Sequence, residues 1–109
     1  MSRITTHVLD TVLGKTAGGV AVCLDMKRGD AWIAVSAGET DVDGRCSNLA
    51  KDAVAGDFRL TFATGAYLAR NGRTSLYPEI AIIFTCGGEA HYHLPLLLSD
   101  NSFTTYRGS

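Results

Sequence analysis

The sequence has no run of basic residues, no cysteine pair at CxxC spacing and no apolar stretch long enough to span a membrane. Ten Lys and Arg stand against eleven Asp and Glu, and the formal net charge of −1 argues against a nucleic-acid partner. The first residues lack the charged and then apolar pattern of a secretory signal. We therefore expect a cytoplasmic protein that binds neither nucleic acid nor membrane.

The cysteines are few and odd in number: Cys23, Cys46 and Cys86. Their spacing predicts neither a disulfide framework nor a four-thiolate zinc site. We expect three reduced and mostly buried thiols.

The chain also lacks internal repeats, low-complexity segments and linkers. Its 109 residues suffice for one hydrophobic core, and a domain of this length buries roughly two-thirds of its unfolded surface. With 46% hydrophobic residues and 12 glycines, the composition is that of a globular fold with many turns. We expect a single domain spanning residues 1–109.

Short apolar or alternating segments between turn signals predict an all-β fold with one brief helix. Thr64 is the expected N-cap of the helix and Gly72 its left-handed end. Residues 38–45 are too polar for a regular element, and Gly87-Gly88 suggests a hairpin turn. The predicted strands are 4–9, 20–24, 32–36, 58–62, 79–85, 90–98 and 102–106. Together they indicate an antiparallel β-sandwich.

Two of the three histidines lie on an apolar strand. Alternation places Tyr92 and Leu94 in the core, whereas His91 and His93 share the opposite face. That face lacks the Lys, Glu and Ser residues of a solvated sheet, so it is typical of a covered site or an interface.

The residues alone leave three interpretations of the histidines open. They are structural groups, or His7, His91 and His93 form a three-histidine zinc site, or they act as acid-base groups without a metal. Arg45 favours the third, because imidazoles beside a guanidinium suit an anionic substrate and repel a dication.

Four segments in order carry a family resemblance: TTHVLD (5–10), TDVDGR (40–45), HYHLPLLLS (91–99) and YRGS (106–109). They resemble the 5-hydroxyisourate hydrolases, which are transthyretin-related enzymes of urate breakdown. The resemblance covers nearly the whole chain, and the terminal YRGS distinguishes these enzymes from the hormone-binding transthyretins.

The resemblance implies a transthyretin-like sandwich of two four-stranded sheets with one short helix. It also implies a homotetramer, built as a dimer of dimers, with active sites in the channel between dimers. The implied reaction is hydrolysis of the N1–C6 amide bond of 5-hydroxyisourate to 2-oxo-4-hydroxy-4-carboxy-5-ureidoimidazoline, without cofactor or metal.

By motif match, the resemblance implies catalytic roles for His7, Arg45 and His93, and leaves His91 as a structural or supporting group. The implied substrate-binding residues are Tyr106, Arg107, Gly108 and Ser109. The alternative is a non-catalytic transthyretin-like protein that carries a small ligand in the same channel.

The sequence departs from the family pattern near its end. Asp100 and Phe103 stand where the family usually has proline and tyrosine. We expect from this a looser turn before the last strand and a negative charge near the channel mouth.

Overall fold

A computed structural model describes residues 2–109, which form nine strands and one helix. The elements are β1 (Ser2–Asp10), β2 (Lys15–Thr16), β3 (Ala21–Arg28), β4 (Ala31–Glu39), β5 (Arg45–Ala53), β6 (Gly56–Phe62), α1 (Thr64–Arg70), β7 (Ile80–Cys86), β8 (His91–Leu98) and β9 (Phe103–Thr105).

β1 is the central strand of the first sheet. It pairs in parallel with β8, from Arg3 opposite His91 to Asp10 opposite Leu98. Its other edge pairs antiparallel with β5 and, near its end, with β2. β9 continues the sheet on the far side of β8. Both edges of β1 are therefore occupied, which fixes its side chains against three neighbouring strands.

The second sheet is antiparallel throughout, in the order β4-β3-β6-β7. Its inner face meets that of the first sheet in one core, where Leu24, Phe58 and Phe62 lie beside Ile4 and Leu96. All five side chains are at most 1% exposed. This burial of apolar surface is the main stabilising contribution to the sandwich.

The predicted sandwich is confirmed, but its first sheet has five strands instead of four, and the sequence missed two of them. β5 was not predicted because its residues carry no clean alternation, and β2 is only two residues long. The pair β1–β8 is parallel, which no local pattern reveals, since its members are joined by most of the chain and not by a turn.

The predicted hairpin at Gly87-Gly88 is wrong. β7 pairs with β6 in the second sheet, whereas β8 pairs with β1 and β9 in the first. The two glycines lie in a connection that carries the chain from one sheet to the other. Tyr92 fixes this connection, because its hydroxyl accepts the Gly87 N–H at 2.6 Å.

The helix begins at Thr64, so the prediction of Thr64 as its N-cap is also wrong. Thr64 is 1% exposed, and its hydroxyl faces the interior without a hydrogen-bond partner among residues 2–109. The end of the helix is as predicted: Gly72 has φ +69° and its N–H donates to the Ala69 carbonyl, while the Arg73 N–H donates to that of Leu68.

The carboxylate of Asp10 anchors the turn after β1. It accepts hydrogen bonds from Arg73, from the Tyr67 hydroxyl and from the backbone N–H groups of Val12 and Leu13. Burial by itself raises its pKa, but the hydrogen bonds from Arg73, Leu13 and Tyr67 outweigh it and hold the pKa at about 2. Asp10 is therefore ionised at neutral pH.

Arg73 also contacts Asp100, at 2.7 Å, and the neighbouring Asn101 accepts the Leu76 N–H at 2.9 Å. The turn before β9 is thus tied to the segment after the helix, in contrast to the looser turn expected from the sequence. The charge of Asp100 is balanced locally by Arg73.

Among residues 2–109 all three cysteines are free, with Cys46 and Cys86 buried and Cys23 exposed. Burial raises the pKa of both buried thiols. The one helix found in this part of the chain is too short to cross a membrane.

Candidate active site

A cavity of about 280 Å³ opens on the outer face of the first sheet. It is lined by Arg3, Thr5 and Thr6 of β1, Arg45 and Ser47 of β5, His91 and His93 of β8, and Ser109 of the terminal segment. Two guanidiniums and two imidazoles line it, and within residues 2–109 no carboxylate side chain does. The cavity therefore favours an anionic ligand.

The parallel pairing of β1 and β8 builds the centre of this cavity. Thr5 lies opposite His93, and Arg3 lies opposite His91. Because residues two apart on a strand share a face, the four side chains form a square on one side of the sheet. The outward face predicted for the two histidines is confirmed by their partial exposure.

The Thr5 hydroxyl lies between the two imidazoles. Its Oγ1 is 2.7 Å from His91 Nε2 and 2.7 Å from His93 Nδ1. The Arg3 Nη2 donates to His91 Nδ1 at 3.3 Å. The result is a continuous chain of hydrogen bonds that runs from a guanidinium to the inner nitrogen of His93.

The pKa of His93 is lowered from its ordinary value. Burial is the largest cause, followed by unfavourable electrostatic interactions with His91, Arg45 and His7, against a smaller opposing effect of the Thr5 backbone. His93 is thus held as a neutral imidazole at physiological pH.

Arg45 is placed by the tight turn that precedes β5. The Asp41 carboxylate accepts the backbone N–H of Asp43 at 2.8 Å and that of Arg45 at 3.0 Å. Gly44 has φ +75°, and a Cβ there would lie 2.4 Å from the Val8 carbonyl oxygen. The polar residues of this segment therefore form one defined turn, and Arg45 begins the strand that follows it.

His7 lies beside the cavity and is not among its lining residues. It is opposite Arg45 across β1–β5 and opposite Pro95 across β1–β8. Its Nε2 donates to the Asp43 carbonyl at 2.8 Å, so neutral His7 keeps its unprotonated nitrogen at Nδ1.

The terminal segment folds back onto His93. The Gly108 N–H donates to the His93 carbonyl at 2.7 Å, and Ser109 lines the cavity. A Cβ on Gly108 would lie 2.6 Å from His93 Cδ2, so only glycine fits against this ring.

Tyr106 and Arg107 lie in a neighbouring cavity of about 300 Å³, which they share with Phe84. The Arg107 guanidinium stacks over the Tyr92 ring at 5.0 Å. Of the residues predicted for the site, the structure brings together Arg45, His93 and Ser109, with Gly108 against His93 and His7 alongside.

Sequence reasoning missed Arg3, Thr5 and Ser47. Thr5 and Ser47 do share a strand face with His7 and Arg45, each two residues away, which was the one available signal. Their contact with the histidines depends on strand pairing between distant segments.

Within residues 2–109, no three His, Cys, Asp or Glu side chains form a group that could hold a metal ion. The ring nitrogens His91 Nε2 and His93 Nδ1 both face the Thr5 hydroxyl. The three-histidine zinc arrangement considered from the sequence is not assembled in this part of the chain.

Known proteins resemble this chain along nearly its full length. The model of the HIUase/Transthyretin family matches residues 4–108. A 5-hydroxyisourate hydrolase of Mus musculus is 41% identical, over 99% of this chain and 96% of the mouse protein.

Two solved structures share the backbone. The 5-hydroxyisourate hydrolase of Klebsiella pneumoniae is 38% identical with a TM-score of 0.91, and the match covers 100% of both chains. The transthyretin of Sparus aurata is 34% identical with a TM-score of 0.93, over 99% of this chain and 97% of that one. Backbone similarity therefore does not distinguish a 5-hydroxyisourate hydrolase from a transthyretin, and the distinction has to come from the side chains of the cavity.

Proposed function

Since the chain belongs to the HIUase/Transthyretin family, we propose that it is an enzyme that hydrolyses 5-hydroxyisourate. The reaction is the opening of the six-membered ring at the N1–C6 amide bond, which yields 2-oxo-4-hydroxy-4-carboxy-5-ureidoimidazoline. Relatives named as 5-hydroxyisourate hydrolases match it over nearly its full length.

One observation carries this proposal: a polar, positively charged cavity holds Arg45, His93 and Ser109 together. A carrier of apolar ligands gains nothing from imidazoles and guanidiniums in its cavity, because covering such groups with an apolar ligand leaves them without a partner and costs free energy. A weakly acidic heterocycle, in contrast, forms hydrogen bonds and ion pairs with these imidazoles and guanidiniums.

The side chains fit the chemistry of amide hydrolysis. Water must lose a proton, the carbonyl oxygen must carry developing negative charge, and the leaving nitrogen must gain a proton. In this proposal His7 and His93 position and activate water as a pair, one of them as its base, and Arg45 holds the substrate anion and the developing charge. No step uses a metal or cofactor.

The terminal segment supplies the remaining contacts to the substrate. Ser109 lines the cavity and Gly108 packs against His93, and in this proposal both contact the heterocycle. Tyr106 and Arg107 line the neighbouring cavity, and in this proposal they close the site from the side in the assembled protein.

The proposal includes a homotetramer, a dimer of dimers whose active sites lie in the channel between dimers. Unpaired strand edges support association, since β7 pairs only with β6 and β9 only with β8. Phe103 and Tyr106, at or just beyond β9, are 42% and 53% exposed. Exposed aromatic groups beside a free edge are typical of an interface.

The test follows the ultraviolet decay of 5-hydroxyisourate, generated in situ from urate, with the purified protein and with chelator. We expect decay much faster than in buffer and unchanged by chelator. His93→Ala and Arg45→Ala should each lower kcat/KM by about a hundredfold or more while the fold survives. Arg28→Ala, a substitution of an exposed arginine in β3 of the other sheet, is the control and should keep full activity.

Decay no faster than in buffer would contradict the proposed hydrolase activity. The remaining alternative would be the non-catalytic protein that carries a small ligand. A transthyretin of this backbone has been solved in complex with thyroxine, so binding of small aromatic ligands is then the next measurement. Loss of activity with chelator would instead restore a metal-dependent mechanism.

A further inference from the structure

The hydroxyl of Thr5 has one proton and two imidazole neighbours. Both ring nitrogens lie 2.7 Å from Oγ1, which is hydrogen-bond distance on each side. A hydroxyl donates one hydrogen bond and accepts others, so it cannot donate to both nitrogens. With both rings neutral, one imidazole donates to Thr5 and the other accepts from it.

Arg3 decides which imidazole donates. A guanidinium has only donors, and Arg3 Nη2 lies 3.3 Å from His91 Nδ1. That nitrogen must accept, so neutral His91 carries its proton on Nε2 and donates it to Thr5. The Thr5 proton then points to His93 Nδ1.

We propose that Thr5 is a positioning residue that holds His93 in the tautomer protonated at Nε2, with Arg3 and His91 setting the direction of the hydrogen-bond chain. The inference rests on the proposed function and deepens it. Thr5 acts only through His93 and is assigned no contact with the substrate.

The two catalytic histidines therefore have different roles in the reaction. His93, neutral and with Nδ1 already accepting a bond, offers an N–H group at Nε2. It stabilises the developing oxyanion as a hydrogen-bond donor, and no bond to a proton forms or breaks on it.

His7 is then the histidine that accepts and returns the proton. Its Nε2 is occupied by the Asp43 carbonyl, so Nδ1 is the free lone pair. Nδ1 takes one proton from water as the hydroxide bonds to C6, and returns it to N1 as the C6–N1 bond breaks. Protons and charge balance without any further group.

The surroundings of Thr5 hold its hydroxyl in place between the two imidazoles. Its side chain is 7% exposed, beneath both rings, and β1 is hydrogen-bonded along both edges. Gly108 confines the opposite edge of the His93 ring, so the ring has one well-defined orientation.

The decisive experiment reads the tautomer directly and needs no substrate. Two-bond proton–nitrogen NMR spectra of protein labelled with nitrogen-15 at histidine distinguish protonated from bare ring nitrogens, and a His91→Asn and a His7→Asn variant assign the signals. At pH 8 we expect His93 protonated at Nε2. In Thr5→Val, of equal shape, the fraction protonated at Nδ1 should rise about fivefold or more.

Kinetics supply the second readout. Thr5→Val should lower kcat by about tenfold to a hundredfold with KM changed by less than about twofold, since the lost interaction matters in the transition state. Thr5→Ser retains the hydroxyl and should restore kcat to within about threefold. Thr11→Val is the matched control, because its hydroxyl also donates to a strand partner, the Leu98 carbonyl at 2.9 Å, away from the site.

Arg3→Leu covers the case in which Thr5→Val fails to fold, since Arg3 is exposed. It should shift the His91 proton between the two ring nitrogens and lower kcat by a few fold. A wild-type His93 protonated at Nδ1, or a Thr5→Val variant that loses activity with an unchanged tautomer, would overturn the proposal. If the wild type does not hydrolyse 5-hydroxyisourate, the proposed function fails, while the NMR spectra still decide the tautomer.

Discussion

At the scale of single residues, a sequence motif identifies a functional side chain, but it does not identify the residues that this side chain contacts. His93 and Arg45 follow from the motifs around them, and the structure places both on one cavity. The contact of Thr5 with His91 does not follow, because it joins residues 86 positions apart in the sequence. Hydrogen bonds across a sheet require the register of two distant strands, and alternation within one strand cannot supply it.

The first prediction at this scale concerns Gly108. In Gly108→Ala the new Cβ would lie 2.6 Å from His93 Cδ2 and 3.4 Å from the His93 carbonyl oxygen. The ring must turn or the terminal segment must leave, so we expect kcat/KM to fall by about a hundredfold. The melting temperature should change by only a few degrees, since the segment is at the surface.

Gly87→Ala is the control for this substitution. Its Cβ would lie 3.6 Å from the Tyr92 hydroxyl, an ordinary contact. Full activity in Gly108→Ala, measured beside Gly87→Ala in the same decay assay, would show that the terminal segment does not confine His93.

At the scale of elements, the strands with clean alternation and the end of the helix were predictable, since each is signalled by adjacent residues. β5 was not, although it carries Arg45. Apolar and polar residues do not alternate regularly along β5, because the register of its pairing with β1 shifts twice. The hairpin assigned to Gly87-Gly88 failed for a similar reason, because a glycine pair signals a turn and not which sheet the next strand joins.

The contact of Asp10 with Arg73 joins β1 to the segment after the helix and yields a pH prediction. The folded pKa of Asp10, about 2, lies below the ordinary value of 3.8. Stabilisation from this group is therefore complete above about pH 4 and is lost as the pH falls towards 2, a change of about 2 kcal/mol. Urea unfolding between pH 5 and pH 2 measures it.

Asp10→Asn should lack this part of the acid dependence and should be less stable at pH 7 by about 3 kcal/mol, because a buried ion pair loses one partner. Asp100→Asn is the comparison. Its side chain is 39% exposed on the other side of Arg73, so we expect a loss below about 1 kcal/mol. Equal losses in the two variants would mean that Asp10 is not the anchor of this contact.

At the scale of the whole molecule, the resemblance implied an assembly that one chain cannot display. Composition and alternation give one domain and an outward face unlike a solvated one, but not the number of copies that cover it. The fold shows which strands lie at the edges of the two sheets, and β7 and β9 are among them.

We expect sedimentation to give a mass about four times the 11.6 kDa of the chain. Phe103→Asp should reduce this mass, because a charge on β9 opposes edge association. Val54→Asp is the control, since Val54 is 45% exposed, close to the 42% of Phe103, but lies between β5 and β6. A fully active monomer would contradict the proposed assembly.

The pairing of β1 with β8 also determines when the site can exist during synthesis. Thr5 and His93 are separated by 88 positions, so β1 must wait for all the residues between them to leave the ribosome before its partner β8 arrives. Closing so long a loop is slow compared with local pairing. Until then β1 has an open edge, and an open edge is exposed to pairing with the wrong strand.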